Sequence, residues 1–196
     1  MILGGICLDG YDSIPEPYSK YLHIGKNVMV KTGTILCGEG FHFKKIEGKH
    51  TFSTHNFGVD IQDEVWIGSN CTVDRGRVRD TVISKGTKID NGVHISHNCI
   101  IGSDCIIATG VILLGSCEVG NGTEIWSNAI IHQGVKVGNN CAVGANTYLR
   151  HDLKDNMVAY MTSDGMVIKP ITESKKYGGG VSKKCLNGKC AADVSW

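Results

Sequence analysis

A period of six constrains this chain more than any other feature. From Ile83 onward every sixth position is aliphatic: Ile89, Ile95, Ile101, Ile107, Leu113, Val119, Ile125, Ile131, Val137, Val143 and Leu149. Helical spacing cannot produce that series. Three residues after each stands a type that tolerates positive φ or bonds its own backbone: Gly86, Gly92, Asn98, Asp104, Gly110, Ser116, Gly122, Asn128, Gly134, Asn140 and Asn146. Four residues after each stands a small or medium side chain: Thr87, Val93, Cys99, Cys105, Val111, Cys117, Thr123, Ala129, Val135, Cys141 and Thr147. Short strands joined by tight turns, with three hexads closing one triangular coil, stack through backbone hydrogen bonds into a parallel β-helix.

The same frame fits Ile24, Val30 and Leu36, then Ile61, Ile67 and Val73. An all-β fold of about six coils, roughly 28 Å long, is therefore predicted. Residues 37–60 form an inserted loop, and the ten-residue step from Val73 to Ile83 across DRGRVRDTV breaks the register. After Leu149 the pattern stops. This divides the chain into a β-helix domain over 1–160 and a C-terminal extension and tail over 161–196.

Composition narrows the function classes. With 196 residues, 41% of them hydrophobic, the chain suits one domain with a sizeable core. Twenty basic against nineteen acidic residues leave no global field to recruit nucleic acid or an anionic membrane. The start, MILGGICLDGYD, lacks a basic segment ahead of its apolar run, and no run of 18 apolar residues occurs, so a soluble, cytoplasmic protein is expected. Nine cysteines, an odd number, then read as reduced thiols, most of them inward-facing core fillers. Cys185 and Cys190, spaced C-x4-C, lack the paired clusters of a zinc site, and His50 and His55 lie in the inserted loop rather than on stacked coils. No metal is expected.

Two histidines stand out in DNGVHISHNCIIG. The frame puts His97 two residues after Ile95, on an outward part of the strand, and adding 18 places Gly115 directly one coil above it. A histidine beside a bare backbone N–H suits a general base next to an oxyanion donor. His94 follows the inward Val93, so it either finishes a corner or faces a substrate. Asp74 and Arg75, at the register break, either pair to hold the turn or face a sugar phosphate. His132 lies two coils above His97 but one position off its vertical, and its role is open.

The segments GEGFHFKKIEGKH, VWIGSNCTVDRGRVRDTVISKGTKIDNGVHISHNCIIG and VIKPITESKKYGGGV resemble the UDP-3-O-acylglucosamine N-acyltransferase family, from about residue 35 to 181. The resemblance implies a left-handed β-helix and a homotrimer. It implies a catalytic base at His97 and an oxyanion donor at Gly115. Acceptor-sugar contacts would fall on Asp90, Asn91, His94 and Asn98.

The family's uracil-gripping N-terminal domain and its C-terminal helical extension have no counterpart in these segments. Related small β-helix enzymes acetylate nucleotide-linked amino sugars from acetyl-CoA and close with segments similar to LKDNMVAY at 153–160. The expected function is thus N-acyl transfer, with acetyl-CoA as donor, to the amine of a nucleotide-linked amino sugar. Transfer of a long 3-hydroxyacyl chain from acyl carrier protein to a UDP-glucosamine derivative is the alternative. O-acetylation and a non-catalytic trimeric scaffold are further ones.

Overall fold

Each hexad becomes one short strand and one turn. A computed structural model describes residues 6–7 and 16–174 of the chain. All eleven turn residues named above sit at positive φ, between 52° and 76°, so Asp104 and Ser116 turn the chain as the asparagines and glycines do. Backbone N–H groups then bond carbonyls one coil on: Ser84 to Ile101 at 2.9 Å, Gly102 to Val119 at 2.7 Å, Gly120 to Val137 at 2.8 Å.

Three sheets result. One face stacks Ile35–Gly38, Thr72–Asp74, His94–Ile95, Ile112–Leu113, Ile130–Ile131 and Tyr148–Leu149 in parallel, with Ile6–Cys7 added antiparallel at its start. The second runs from Leu22–Ile24 through Val59–Ile61, Thr81–Ile83, Ile100–Ile101 and Glu118–Val119 to Lys136–Val137, one strand for each of six coils. The third begins at Met29–Val30 and reaches Ala142–Val143. It ends in the hairpin Met157–Thr162 and Gly165–Pro170, which straddles residue 160, where the sequence reading places the end of the β-helix.

The interior is the two inward columns. From Ile83 to Leu149 the aliphatics and the smaller residues between them are at most 4% exposed. Interior threonine hydroxyls bond from coil to coil, although Thr147 Oγ1 has no such partner. The Thr87 hydroxyl donates to the Gly102 carbonyl at 2.7 Å and accepts the Cys105 N–H at 3.1 Å, and Thr123 does the same with Gly138 and Cys141. The thiols do more than fill space. Cys71, Cys105, Cys117 and Cys141 each donate to a turn carbonyl one coil on, at 3.0 to 3.1 Å.

The insertion occupies the span between Gly38 and Val59. It is a hairpin rather than a loop, pairing Phe43–Ile46 with Lys49–Phe52. Its turn holds Glu47 at φ 48° and Gly48 at φ 81°, the two left-handed residues that a tight two-residue hairpin needs. The Glu-Gly pair in KKIEGKH is the sequence signal for it.

Burial raises the thiol pKa of Cys71, Cys105 and Cys141, and pushes Cys37 up to about 11. The neighbouring Cys117 thiol, with burial, raises Cys99. Cys185 and Cys190 lie outside the described residues. Thiol reagents should accordingly modify Cys99, Cys105, Cys117 and Cys141 only on unfolding. Labelling of these four in native protein within minutes would contradict the assigned interior.

Candidate active site

The turn after the strand His94–Ile95 forms one corner of its coil. His97 belongs to that turn, not to the strand where the hexad frame puts it. Its ring lies against Gly115 one coil on: a Cβ at Gly115 would come within 2.6 Å of Cε1 and 2.8 Å of Nε2. The Gly115 N–H takes no part in the inter-coil ladder, whereas its carbonyl accepts the Gly134 N–H.

Asn98 holds the imidazole from the other side. Its Oδ1 accepts the N–H groups of Arg77 and Val78, at 2.7 and 3.0 Å, which turns Nδ2 toward His97 Nδ1 at 2.7 Å. Nδ2 also lies 3.3 Å from Ser116 Oγ. The side chain expected to touch substrate is therefore buried, with both amide atoms committed inside the protein. It fastens the register break to the corner.

The other expected contacts divide between two places. His94 shares the outer face with His97; its Nδ1 is 2.7 Å from Thr72 Oγ1 and its Nε2 is 3.9 Å from Asp74 Oδ2. Asp90 and Asn91 stand at the opposite corner of the same face, exposed. There Asn91 Oδ1 accepts the Ser69 N–H at 2.7 Å, and Asp90 Oδ1 accepts the Asn91 N–H at 2.8 Å. His132 bonds Tyr148 through Nδ1 at 2.6 Å, two coils from His97.

Arg75 does not pair with Asp74. It is 2% exposed, bonds Glu39 Oε1 at 2.5 Å and stacks on the Tyr21 ring at 4.5 Å, so its charge is neutralised inside. Glu39 opens the insertion, which folds back over the corner. His55 is fully buried there: its backbone N–H donates to Glu39 Oε2 at 3.0 Å, its Nδ1 lies 3.2 Å from that oxygen, and its ring centroid is 5.2 Å from that of His97. His42 approaches His55 edge-on at 6.5 Å. The H-x4-H spacing of His50 and His55 assembles nothing, and among the described residues no three His, Cys, Asp or Glu side chains come together to hold a metal ion.

Burial sets the protonation states. It raises Asp74 to about 7, against the opposing hydrogen bond from Ser96, so this carboxyl is part-protonated near neutrality. It lowers His94. It also lowers His97, assisted by the charges of Arg77, His42 and His94, so the imidazole is neutral at pH 7. A neutral imidazole, a part-protonated carboxyl and a backbone N–H at one corner can accept a proton, donate a hydrogen bond and hold a developing oxyanion.

Residues 80–115 and 116–151 match the family described as bacterial transferase hexapeptide (six repeats). UDP-3-O-acylglucosamine N-acyltransferase of Leptospira biflexa is 42% identical over 93 residues, which is 47% of this chain and 26% of that protein. The enzyme of that name from Fusobacterium nucleatum is 46% identical over 76 residues, 39% of this chain and 23% of its own length. The chain spans about a quarter of the length of these relatives. Solved UDP-N-acetylglucosamine acyltransferases from Francisella novicida and Bacteroides fragilis superpose with TM-scores of 0.64 and 0.63 at 21% identity. They cover 76% and 74% of this chain, and 60% and 55% of their own. These structural neighbours show the fold, a left-handed β-helix.

Gly115→Ala tests the close approach. Position 115 is not in the left-handed region and the three atoms nearest the new methyl all belong to the His97 ring, so the melting temperature should hardly move. Displacing the imidazole by about 1 Å should cost any turnover at this corner roughly 10²-fold. Normal turnover in a folded variant would show that the ring does not work from this place.

Proposed function

We propose that this chain, whose coils carry the bacterial transferase hexapeptide repeat, is an N-acyltransferase that acylates the amine of a UDP-linked glucosamine derivative from an acyl thioester. The observation that carries the reading is the His97–Gly115 contact, within residues that match the hexapeptide transferase family, in a chain similar over 93 residues to a UDP-3-O-acylglucosamine N-acyltransferase. The sugar amine attacks the thioester carbonyl while His97 Nε2 takes its proton. The Gly115 N–H holds the oxyanion, and the C–S bond then breaks as the leaving thiolate recovers the proton from the imidazolium. His94 and Asp74, beside the base, suit hydroxyl groups of the acceptor. Asp90 and Asn91, at the far corner, suit an acceptor that spans the face.

A longer acyl chain delivered by a carrier protein is favoured over the acetyl-CoA expected above. Phe41, Phe43 and Phe52 run along the inserted hairpin with centroids 5.0 and 5.5 Å apart, and Phe52 lies 6.5 Å from His55. Phe41 is 88% exposed. This apolar track leads toward His97 and is far longer than an acetyl group needs.

One copy leaves the corner open. Grooves of about 540 and 400 Å³ lie elsewhere, one around Glu118 and Lys136 and the other around Gln62 and Lys85, and His97 lines neither. A second copy supplying the missing wall, in a homotrimer, fits that geometry. Among the described residues no helix is long and apolar enough to cross a membrane, and the proposed site of action is the cytoplasm.

His97→Ala should lower kcat by roughly 10²- to 10⁴-fold with donor affinity and fold retained. Because the working form is the neutral imidazole and burial lowers its pKa, wild-type kcat/KM should fall only as pH drops below the ordinary histidine range. The variant should lack that limb. Near-normal turnover by His97→Ala would remove the base from this residue.

The donor is settled by thiol release with a UDP-glucosamine derivative, comparing acetyl-CoA with a long 3-hydroxyacyl chain on carrier protein. Faster release from the carrier-borne chain is expected. Release from acetyl-CoA alone would restore the shorter donor, and acylation of hydroxy sugars in place of amino sugars would change the acceptor class.

A further inference from the structure

A base must present a lone pair, and His97 Nε2 has one only if the neutral ring carries its proton on Nδ1. Asn98 opposes this. Its amide is oriented by two backbone donors to Oδ1, so it offers an N–H to Nδ1 and favours the Nε2–H form. An imidazole has a second orientation of nearly the same outline, turned by half a rotation about Cβ–Cγ, which exchanges Nδ1 with Cδ2 and Nε2 with Cε1. Because Cδ2–H then stands where Nδ1 was 2.7 Å from Asn98 Nδ2, the turned ring also shifts away from Asn98 toward the insertion. Nε2 then takes the Cε1 position, still against Gly115. Nδ1 takes the Cδ2 position, which faces the insertion.

What waits there is His55. A Cβ on Gly40 would come within 2.7 Å of His55 Nε2 and 3.1 Å of His97 Cδ2, so both atoms border one small space that only a glycine leaves open. His55 is fully buried, and neither of its ring nitrogens has a partner in good hydrogen-bond geometry. A buried unpartnered polar atom is costly. The nearest acceptor for Nδ1–H is Glu39 Oε2 at 3.2 Å, and a proton on Nδ1 leaves His55 Nε2 as a lone pair facing that space. Arg75 holds the other carboxylate oxygen and fixes the Glu39 side chain in place.

We propose that His55, oriented by Glu39 and Arg75, is a positioning residue that selects the working state of His97: with the ring turned over, His97 Nδ1–H donates to His55 Nε2 and Nε2 is freed as the base. The inserted hairpin thereby completes the site chemically as well as sterically. Two orientations serve two needs. Held by Asn98 the imidazole is parked as a donor, and held by His55 it is a base. In the second, Asn98 Nδ2 keeps Ser116 Oγ as a partner. The charged and titratable groups around the pair are Glu39, His42 and Arg75 on the His55 side, and His42, Arg77 and His94 on the His97 side. Burial lowers the pKa of His55 also, in keeping with a relay whose members are neutral at pH 7.

This inference rests on His97 being the base, yet one readout is independent of catalysis. Nitrogen-15 chemical shifts of the His97 ring at pH 8 report its tautomer directly. In the wild type a Nδ1–H population is expected, in His55→Phe it should collapse to Nε2–H, and in His55→Gln, whose amide oxygen can accept in place of Nε2, it should return. Wild-type His97 wholly as Nε2–H, or a tautomer indifferent to His55→Phe, would overturn the proposal. In turnover, His55→Phe should lower kcat roughly 10- to 10³-fold with KM little changed, since a wrong tautomer can cost up to about 10⁴. Normal kcat in a folded His55→Phe protein would also overturn it. If instead the shifts respond as expected but His97→Ala keeps its activity, the relay stands and the catalytic assignment falls.

Discussion

The outward residues of the stacked coils are placed by the parallel ladder of backbone hydrogen bonds between coils. In the regular region the strand N–H groups bond carbonyls 17 positions on, as Ser84 to Ile101, Asp90 to Ile107 and Ser96 to Leu113, and turn N–H groups bond carbonyls 19 positions back, as Asp104 to Lys85 and Ser116 to His97. A one-residue slip would send the aliphatic column outward and the polar column into the core. The interior therefore enforces the register, and the register brings residues 18 apart into vertical contact. His97 and Gly115 meet for that reason.

The ladder also explains why the chemistry gathers where the repeat fails. At the register break, Asp74 is still in line with Gly38 while Arg75 turns inward to meet Glu39. Neither partner of the Arg75–Glu39 pair would be tolerated alone at such burial, and breaking a buried pair of this kind costs about 3–5 kcal/mol. The pair thus clamps the insertion to the coil. Asn98 closes the arrangement from above by capping the N–H groups of Arg77 and Val78. Two irregular segments with no core of their own are fixed over one corner by a few charge-assisted and amide bonds, and three histidines follow: His42, His55 and His97.

The regular part of this was legible in the sequence, because a column of aliphatics every six residues has one physical solution. The eleven turn positions, the buried thiols and the vertical contact of His97 with Gly115 follow from counting. Counting does not reach the segment between Gly38 and Val59. Its hairpin could have been seen in the Glu47-Gly48 turn, but its docking depends on Glu39 meeting Arg75, 36 residues apart and across a bulge. His55 was legible as a histidine and not as a neighbour of His97, and Asn98 was legible as a turn residue and not as the clasp of an imidazole. Tertiary contacts made by inserted segments carry no period.

Gly115 separates the two kinds of glycine in such a chain. Turn glycines such as Gly92 and Gly134 occupy φ of 67° and 74°, and asparagine, aspartate or serine replaces them in other hexads. Gly115 stands one position earlier, outside the left-handed region, where the other hexads place Lys85, Asn91, His97, Ser103, Thr109, Asn121, Ser127, Gln133, Asn139 and Ala145. The backbone there accepts any side chain. What it does not accept at position 115 is a Cβ within 2.6 Å of an imidazole one coil below. Gly40 repeats the logic from the insertion, with no positive φ and a missing Cβ whose place is bordered by His55 and His97. Two glycines that the backbone does not require, both opening space around the same ring, mark His97 as the side chain the corner is built around.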